Sequence, residues 1–151
     1  MLKSNGMDEN EFWKIIDMFE WKHSGDDEKV LAKALNYLSK KSNEDIYTFD
    51  DILSKLLYDL DGKRYAENIG ECSFGGNDFT EDDFLYTRCV VVANGKDFYY
   101  EVFENPASMP EEMEFESLLY IASEAFEMKN GEEYEHVSRF DYETYSNKSN
   151  W

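Results

Sequence analysis

Apolar positions recur along this chain mostly at helical spacing. Phe12, Ile15, Ile16 and Phe19 fall at i, i+3, i+4 and i+7, with Trp13 widening the stripe. That pattern predicts an amphipathic helix over about Asp8–Trp21, broken by Ser24-Gly25. Val30, Leu31, Ala34, Leu35 and Leu38 give a second helix over Asp26–Lys41, with acids in its first turn and Lys40-Lys41 in its last, as the helix dipole favours. Ser42-x-x-Asp45 reads as a capping box for a third helix. Its apolar face is Ile46, Phe49, Leu53, Leu56, Leu57 and Leu60, and Asp61-Gly62 is its expected stop. A short helix is expected around Arg64–Ile69, then a loop over 70–80. Pro110 suits the first position of a last helix, Glu111–Lys129, lined by Phe115, Leu118, Leu119, Ala122 and Phe126 and closed by Asn130-Gly131. Residues 132–151 read as an extended tail, either loose or packed through Tyr134, Tyr142, Tyr145 and Trp151.

One stretch has two readings. Thr80-x-x-Asp83 is a second capping box before Phe84-Leu85-Tyr86. Cys89-Val90-Val91-Val92 then favours a strand, and Asn94-Gly95 is a hairpin-turn signature. The same residues read equally as two helices meeting at Gly95. On the residue pattern alone two fold classes stay open, an all-α single domain of about five to seven helices and an α+β fold with a hairpin at 86–103. Residues 1–7 are an expected flexible N-terminus, 8–134 the helical domain and 135–151 an aromatic, polar tail.

Charge sharpens the picture. The chain of 151 residues carries a formal net charge of −19. Residues 1–65 hold fourteen acids and ten bases, whereas residues 66–151 hold twenty acids and five bases. From Glu101 to Glu135 eleven glutamates face Lys129 alone. Aromatic content of 17% sets this chain apart from disordered acidic segments, so the charge belongs to a folded body. Such a field repels nucleic-acid backbones and anionic lipid, and it attracts basic proteins. No apolar run approaches the roughly 18–20 residues that span a bilayer. The N-terminus shows no signal-peptide core, so a cytoplasmic location is expected, with Cys72 and Cys89 as reduced thiols.

Motifs for chemistry are scarce. There is no phosphate loop and no nucleophile elbow. Gly75-Gly76-Asn77-Asp78 reads as a turn. His23 and His136 read as structural or solvated, and with the two cysteines they lack zinc spacing. Asp78, Glu81, Asp82 and Asp83 do not follow a calcium-loop spacing, and helix N-terminal preference explains most of them. No enzyme activity, metal or cofactor is expected.

Several short pieces resemble a bacterial family catalogued as a domain of unknown function. They are Asp8-Glu9-Asn10-Glu11-Phe12-Trp13 with Ile15-Ile16-Asp17, then Phe49-Asp50-Asp51-Ile52-Leu53 and Gly70-Glu71-Cys72-Ser73. Asp82-Asp83-Phe84 and Leu118-Leu119-Tyr120-Ile121-Ala122-x-x-Ala125-Phe126 complete the set. The resemblance spans roughly residues 8–134 and implies an all-α fold. It also implies a setting as a lone small protein, beside WGR-type modules or near polymorphic toxins. Where that family has Phe-Arg-x-Trp-Leu-Ile, this chain has Tyr86-Thr87-Arg88-Cys89-Val90-Val91-Val92.

The function expected is that of a small acidic immunity or inhibitor protein that binds and neutralises a basic effector, a nuclease-type toxin domain above all. The alternative is an intracellular adaptor with no toxin partner, docking through its tail. The protein is expected to be a monomer or weak dimer that touches no nucleic acid or membrane directly. The expected partner-binding residues are Asp78, Glu81, Asp82, Asp83, Glu111, Glu112, Glu114 and Glu116, with Tyr99 and Tyr100 as aromatic anchors. Phe103 is expected in the core. Reversing Glu112 and Glu116 to Lys is the charge test that this reading suggests.

Overall fold

The computed structural model describes residues 6–151; positions 1–5 of the expected flexible N-terminus lie outside them. Among the described residues the regular structure is entirely helical: α1 (Glu9–Ile16), α2 (Asp27–Ser39), α3 (Asn43–Asp59), α4 (Lys63–Ala66), α5 (Glu81–Ala93), α6 (Lys96–Glu104) and α7 (Ile121–Asn130), joined by short 3-10 turns. The all-α reading holds, and the hairpin alternative at 86–103 is overturned.

Local chemistry sets the helix starts. The side chains of Asp8, Asp26, Ser42 and Thr80 each accept the backbone N–H three residues on, at 2.8, 3.3, 3.0 and 3.0 Å. Each satisfies an N–H that the first turn leaves without a helical partner. An eight-residue helix such as α1 is marginal alone. It is held by complete burial of Phe12, Trp13, Ile15 and Ile16. The Phe12 ring sits 4.7 Å from that of Phe49 on α3. Tyr37 of α2 donates its phenol to Glu11 at 2.6 Å, and Lys41 adds an ion pair at 3.2 Å. Tyr37 first, and Lys41 second, hold the Glu11 carboxyl below its ordinary range.

The first helix is shorter than its stripe predicts. It ends at Ile16, and Phe19 reaches the core from a loop whose Glu20 N–H donates to the Val30 carbonyl. The third helix stops at Asp59, and Gly62 precedes α4 in an extended conformation.

α5 runs through the middle of the molecule, against α3, α6 and the turn over 116–120. Phe84, Leu85 and every residue from Thr87 to Ala93 are buried. A helix buried all round shows no amphipathic period, which is why this run resembles a buried strand. Gly95 adopts φ +101 and opens α6, so the Asn94-Gly95 pair breaks one helix from the next. α7 packs on α2 and α3.

The last helix is also shorter than predicted. Residues 111–115 are not helical, and a 3-10 turn over Glu116–Tyr120 leads into α7. Pro110 starts no helix. The segment instead lies along α5, where Phe115 N–H donates to the Tyr86 carbonyl at 3.1 Å. The Thr87 hydroxyl donates to the Met113 carbonyl at 2.9 Å. These bonds spend backbone groups that a helix would have used.

The tail is packed. Residues 134–151 lie across α3 and the start of α5, tied to Asp50, Asp51, Ser54, Asp61 and Arg88. His136, expected to be solvated, stacks on Tyr47 with ring centres 4.6 Å apart and meets Asp51 at 2.9 Å.

Candidate functional site

The irregular run 111–115 and the first residue of the 3-10 turn that follows hold four of the eight expected acidic residues, Glu111, Glu112, Glu114 and Glu116. Glu114 and Glu116 come together with Asp83 there, as their mutual influence on the Glu114 carboxyl shows. Met113, Glu112 and Glu114 border a shallow cavity of about 380 Å³ with Ile69, Cys72, Asp83 and Thr87. The Glu114 carboxyl lies against that of Asp83; burial, then this neighbour, raises its pKa above the ordinary range. Burial and the surrounding Asp83, Glu112, Asp78 and Glu114 raise the Cys72 thiol, which keeps it protonated. Tyr86 lies among Asp82, Glu116 and Glu143; burial first and these charges next raise its phenol.

Glu112 is built into the backbone. Its carboxylate accepts the Glu71 N–H at 2.7 Å, and its own φ is +57, uncommon for a residue with a side chain. Gly70 (φ +90) passes so close that a Cβ there would collide with this carboxylate, and Glu111 lies beside it. Gly70→Ala should therefore cost about 1–3 kcal/mol in urea unfolding, from backbone strain and collision together. Adding Glu112→Ala should return only the collision part.

Among the described residues, none of the eight expected carboxylates pairs with a Lys, Arg or His. Glu116 instead accepts the Tyr120 phenol at 2.7 Å; that bond, with burial and the Glu116 charge behind it, pushes the phenol up to about 12. Glu81 and Asp82 are exposed in the first turn of α5. The fold adds carboxylates to this face that sequence spacing did not single out. Glu71 arrives through Glu112, Glu143 beside Tyr86, and Asp27 by accepting the Ser117 hydroxyl at 2.6 Å.

The aromatic expectations are corrected. Tyr99 is 1% exposed, and its phenol donates to the Leu56 carbonyl at 2.6 Å, so it cannot meet a partner. Tyr99→Phe should cost about 1 kcal/mol in urea unfolding, the net worth of such a bond. Tyr100 is half-buried and lines a separate groove with Glu9, Lys55 and Phe140. Phe103, expected in the core, is exposed. The large exposed apolar side chains at the acidic face are Met113 (53%), Tyr120 (47%) and Trp21 (41%), the last 5.3 Å from the Phe115 ring. The stripe predicts Trp21 at the end of the first helix; the helix ends at Ile16 and Trp21 opens a 3-10 turn with its indole exposed.

Arg88 is a buried charge at a position that the sequence pattern does not single out. It is fully buried on α5, donating to the Leu57 carbonyl at 2.8 Å and to the Thr144 hydroxyl at 3.0 Å, over the Phe84 ring. Its Nε has no partner. Burial lowers its pKa to about 10, and Asp61 is the charge that most opposes the shift. A lone Arg inside an apolar run was the available signal. Cys89 is buried beside it, its thiol pushed up to about 12 by burial. Among the described residues no group of three or more His, Cys, Asp or Glu is placed to hold a metal ion, and no helix is long and apolar enough to cross a membrane.

The model of a family described as "Protein of unknown function (DUF4240)" matches residues 7–128. No curated protein and no solved structure matches the chain.

Proposed function

The chain belongs to this family of unknown function, DUF4240, and on that premise we propose that it is a binding protein: a small acidic immunity or inhibitor protein that neutralises a basic effector, a nuclease-type toxin domain in the first place. The observation that carries the reading is the face around residues 111–116. It sets Asp82, Asp83, Glu112, Glu114 and Glu116 together without a cation among the described residues, beside exposed Met113, Tyr120 and Trp21. A nuclease groove must be positive to hold phosphates. An acidic face steers such a surface into contact and covers it, while large apolar side chains supply anchoring area. The setting near polymorphic toxins that the resemblance implies points the same way.

Catalysis has no part in this reading. Both thiols are held protonated, Cys89 by burial and Cys72 by burial among carboxylates, so neither is an activated nucleophile. Against an adaptor docking through a free tail stands the packing of that tail. Deleting residues 136–151 would strip Asp61 and Arg88 of partners and disturb the body itself. The reading is tested by co-expression with the product of the gene immediately upstream. Co-purification and rescue of growth from that product's toxicity are expected. Neither binding nor rescue would overturn it.

A further inference from the structure

The outer stripe of α3 forms the floor of a groove of about 550 Å³. Thr48, Ile52, Lys55 and Asp59 recur at helical spacing and share one side of the helix. Both flanks of that stripe are covered. On one flank Asp51 accepts the Arg139 N–H at 2.9 Å, Ser54 accepts the Phe140 N–H at 3.2 Å, and the Tyr58 and Phe140 rings lie 5.3 Å apart. On the other flank Phe49 meets Phe12 of α1, and the Leu56 carbonyl accepts the Tyr99 phenol of α6. Arg139 and Phe140 therefore form one wall of the groove, and Glu9 and Tyr100 the opposite one. Each wall is anchored in the body, so the groove is preformed.

The floor is apolar and the charges are divided between the walls. Ile52 is half-buried and Leu56 buried. Lys55 pairs with Asp59 at 2.7 Å, and Asp51 meets His136 at 2.9 Å. Among the described residues two charged groups of the lining have no ion-pair partner, Glu9 and Arg139. The Glu9 carboxylate accepts the Tyr100 phenol at 3.2 and 3.4 Å. Burial, then Glu9, then Asp59 raise that phenol, so negative charge gathers at the Tyr100 wall. The Arg139 guanidinium and the Lys55 amine lie 5.9 and 5.7 Å from the centre of the Phe140 ring, so positive charge gathers there.

An anion would meet Glu9 and Asp59 in this groove, and a cation would meet Lys55 and Arg139. A ligand that suits both walls carries an ammonium and a carboxylate at opposite ends of an apolar body.

We propose that the groove binds a short peptide with free termini and apolar side chains, its ammonium at Glu9, its carboxylate at Arg139 and its side chains on Ile52 and Leu56. The volume is in the range of small-ligand sites. Three extended residues reach about 10 Å. The stripe from Thr48 to Asp59 is about 16 Å long, so a tripeptide fits within it. The groove shares no lining residue with the acidic face and needs no cationic partner.

The tripeptide Leu-Phe-Leu, its N-acetyl form and its C-terminal amide, each titrated into the full chain and followed by NMR, test this. The free tripeptide should shift the methyl resonances of Ile52 and Leu56 and the ring resonances of Tyr100 and Phe140. Each blocked form should bind about 10-fold more weakly, the loss of one charge-assisted contact. Glu9→Gln should remove the penalty for acetylation alone, and Arg139→Gln the penalty for amidation alone. Both side chains are exposed, so urea unfolding should be unchanged. Should either variant fail to fold, the blocked peptides on the unaltered protein decide. No shift in the groove, or equal binding by all three peptides, would overturn the proposal. So would a penalty that survives its variant. The toxin reading is decided by co-purification and rescue, so each can fail alone.

Discussion

Asp61→Ala lowers stability by about 3–5 kcal/mol, the expected loss when one member of a buried charged network is removed. Asp61 is wholly buried and accepts from two backbone N–H groups and the Trp151 indole. It is also the charge that most favours the Arg88 cation, itself wholly buried. Alanine leaves three donors without their acceptor and that cation without its opposing charge. For a domain of this size the thermal midpoint should fall by roughly 10 °C. Arg88→Met in the same background should recover part of the loss, because it removes the uncompensated cation. Urea unfolding of the two single variants and the double variant measures the coupling. A loss below about 1 kcal/mol for Asp61→Ala would mean that water replaces the carboxylate at little cost.

The second large effect is on association. Glu114→Lys combined with Asp82→Lys should slow binding to a basic partner by about 10–100-fold at low salt. Folding should be nearly untouched. Asp82 is exposed, and Glu114 is held against Asp83 at an electrostatic cost that a lysine relieves. Glu112 is a poorer choice than sequence spacing suggested. Its carboxylate holds the Glu71 N–H beside Gly70, so its reversal tests the fold as well as the face. Stopped-flow association, with urea unfolding as the control, separates the two. An unchanged rate at low salt would remove this face from the interface.

What the sequence made legible follows from short-range physics. The caps at Ser42 and Thr80 lie three residues from the N–H groups they accept, and the stripes of α2 and α3 repeat at helical spacing, so both can be read along the chain. α5 was ambiguous because it is buried on every side, which erases the period. The run 111–115 has a helical pattern and no helix because its backbone bonds go to Tyr86 and Thr87, a pairing no local pattern encodes. The same holds for Asp61 and the tail residues Tyr145 and Asn147, more than eighty residues apart in sequence. On the candidate face, the acidic residues stood out by composition, but which of them meet did not. Tyr99 stands out as an aromatic anchor but lies on the buried side of α6 with its phenol on the Leu56 carbonyl, while Trp21 falls beyond the early end of α1, in a 3-10 turn, and is exposed.

Capture of a basic partner by the acidic face is read in the association rate with the upstream gene product, followed from low to high salt. A rate that falls steeply with salt, and a slower and flatter response in Glu114→Lys/Asp82→Lys, is the expected result. A rate independent of salt, equal in both proteins, would contradict it.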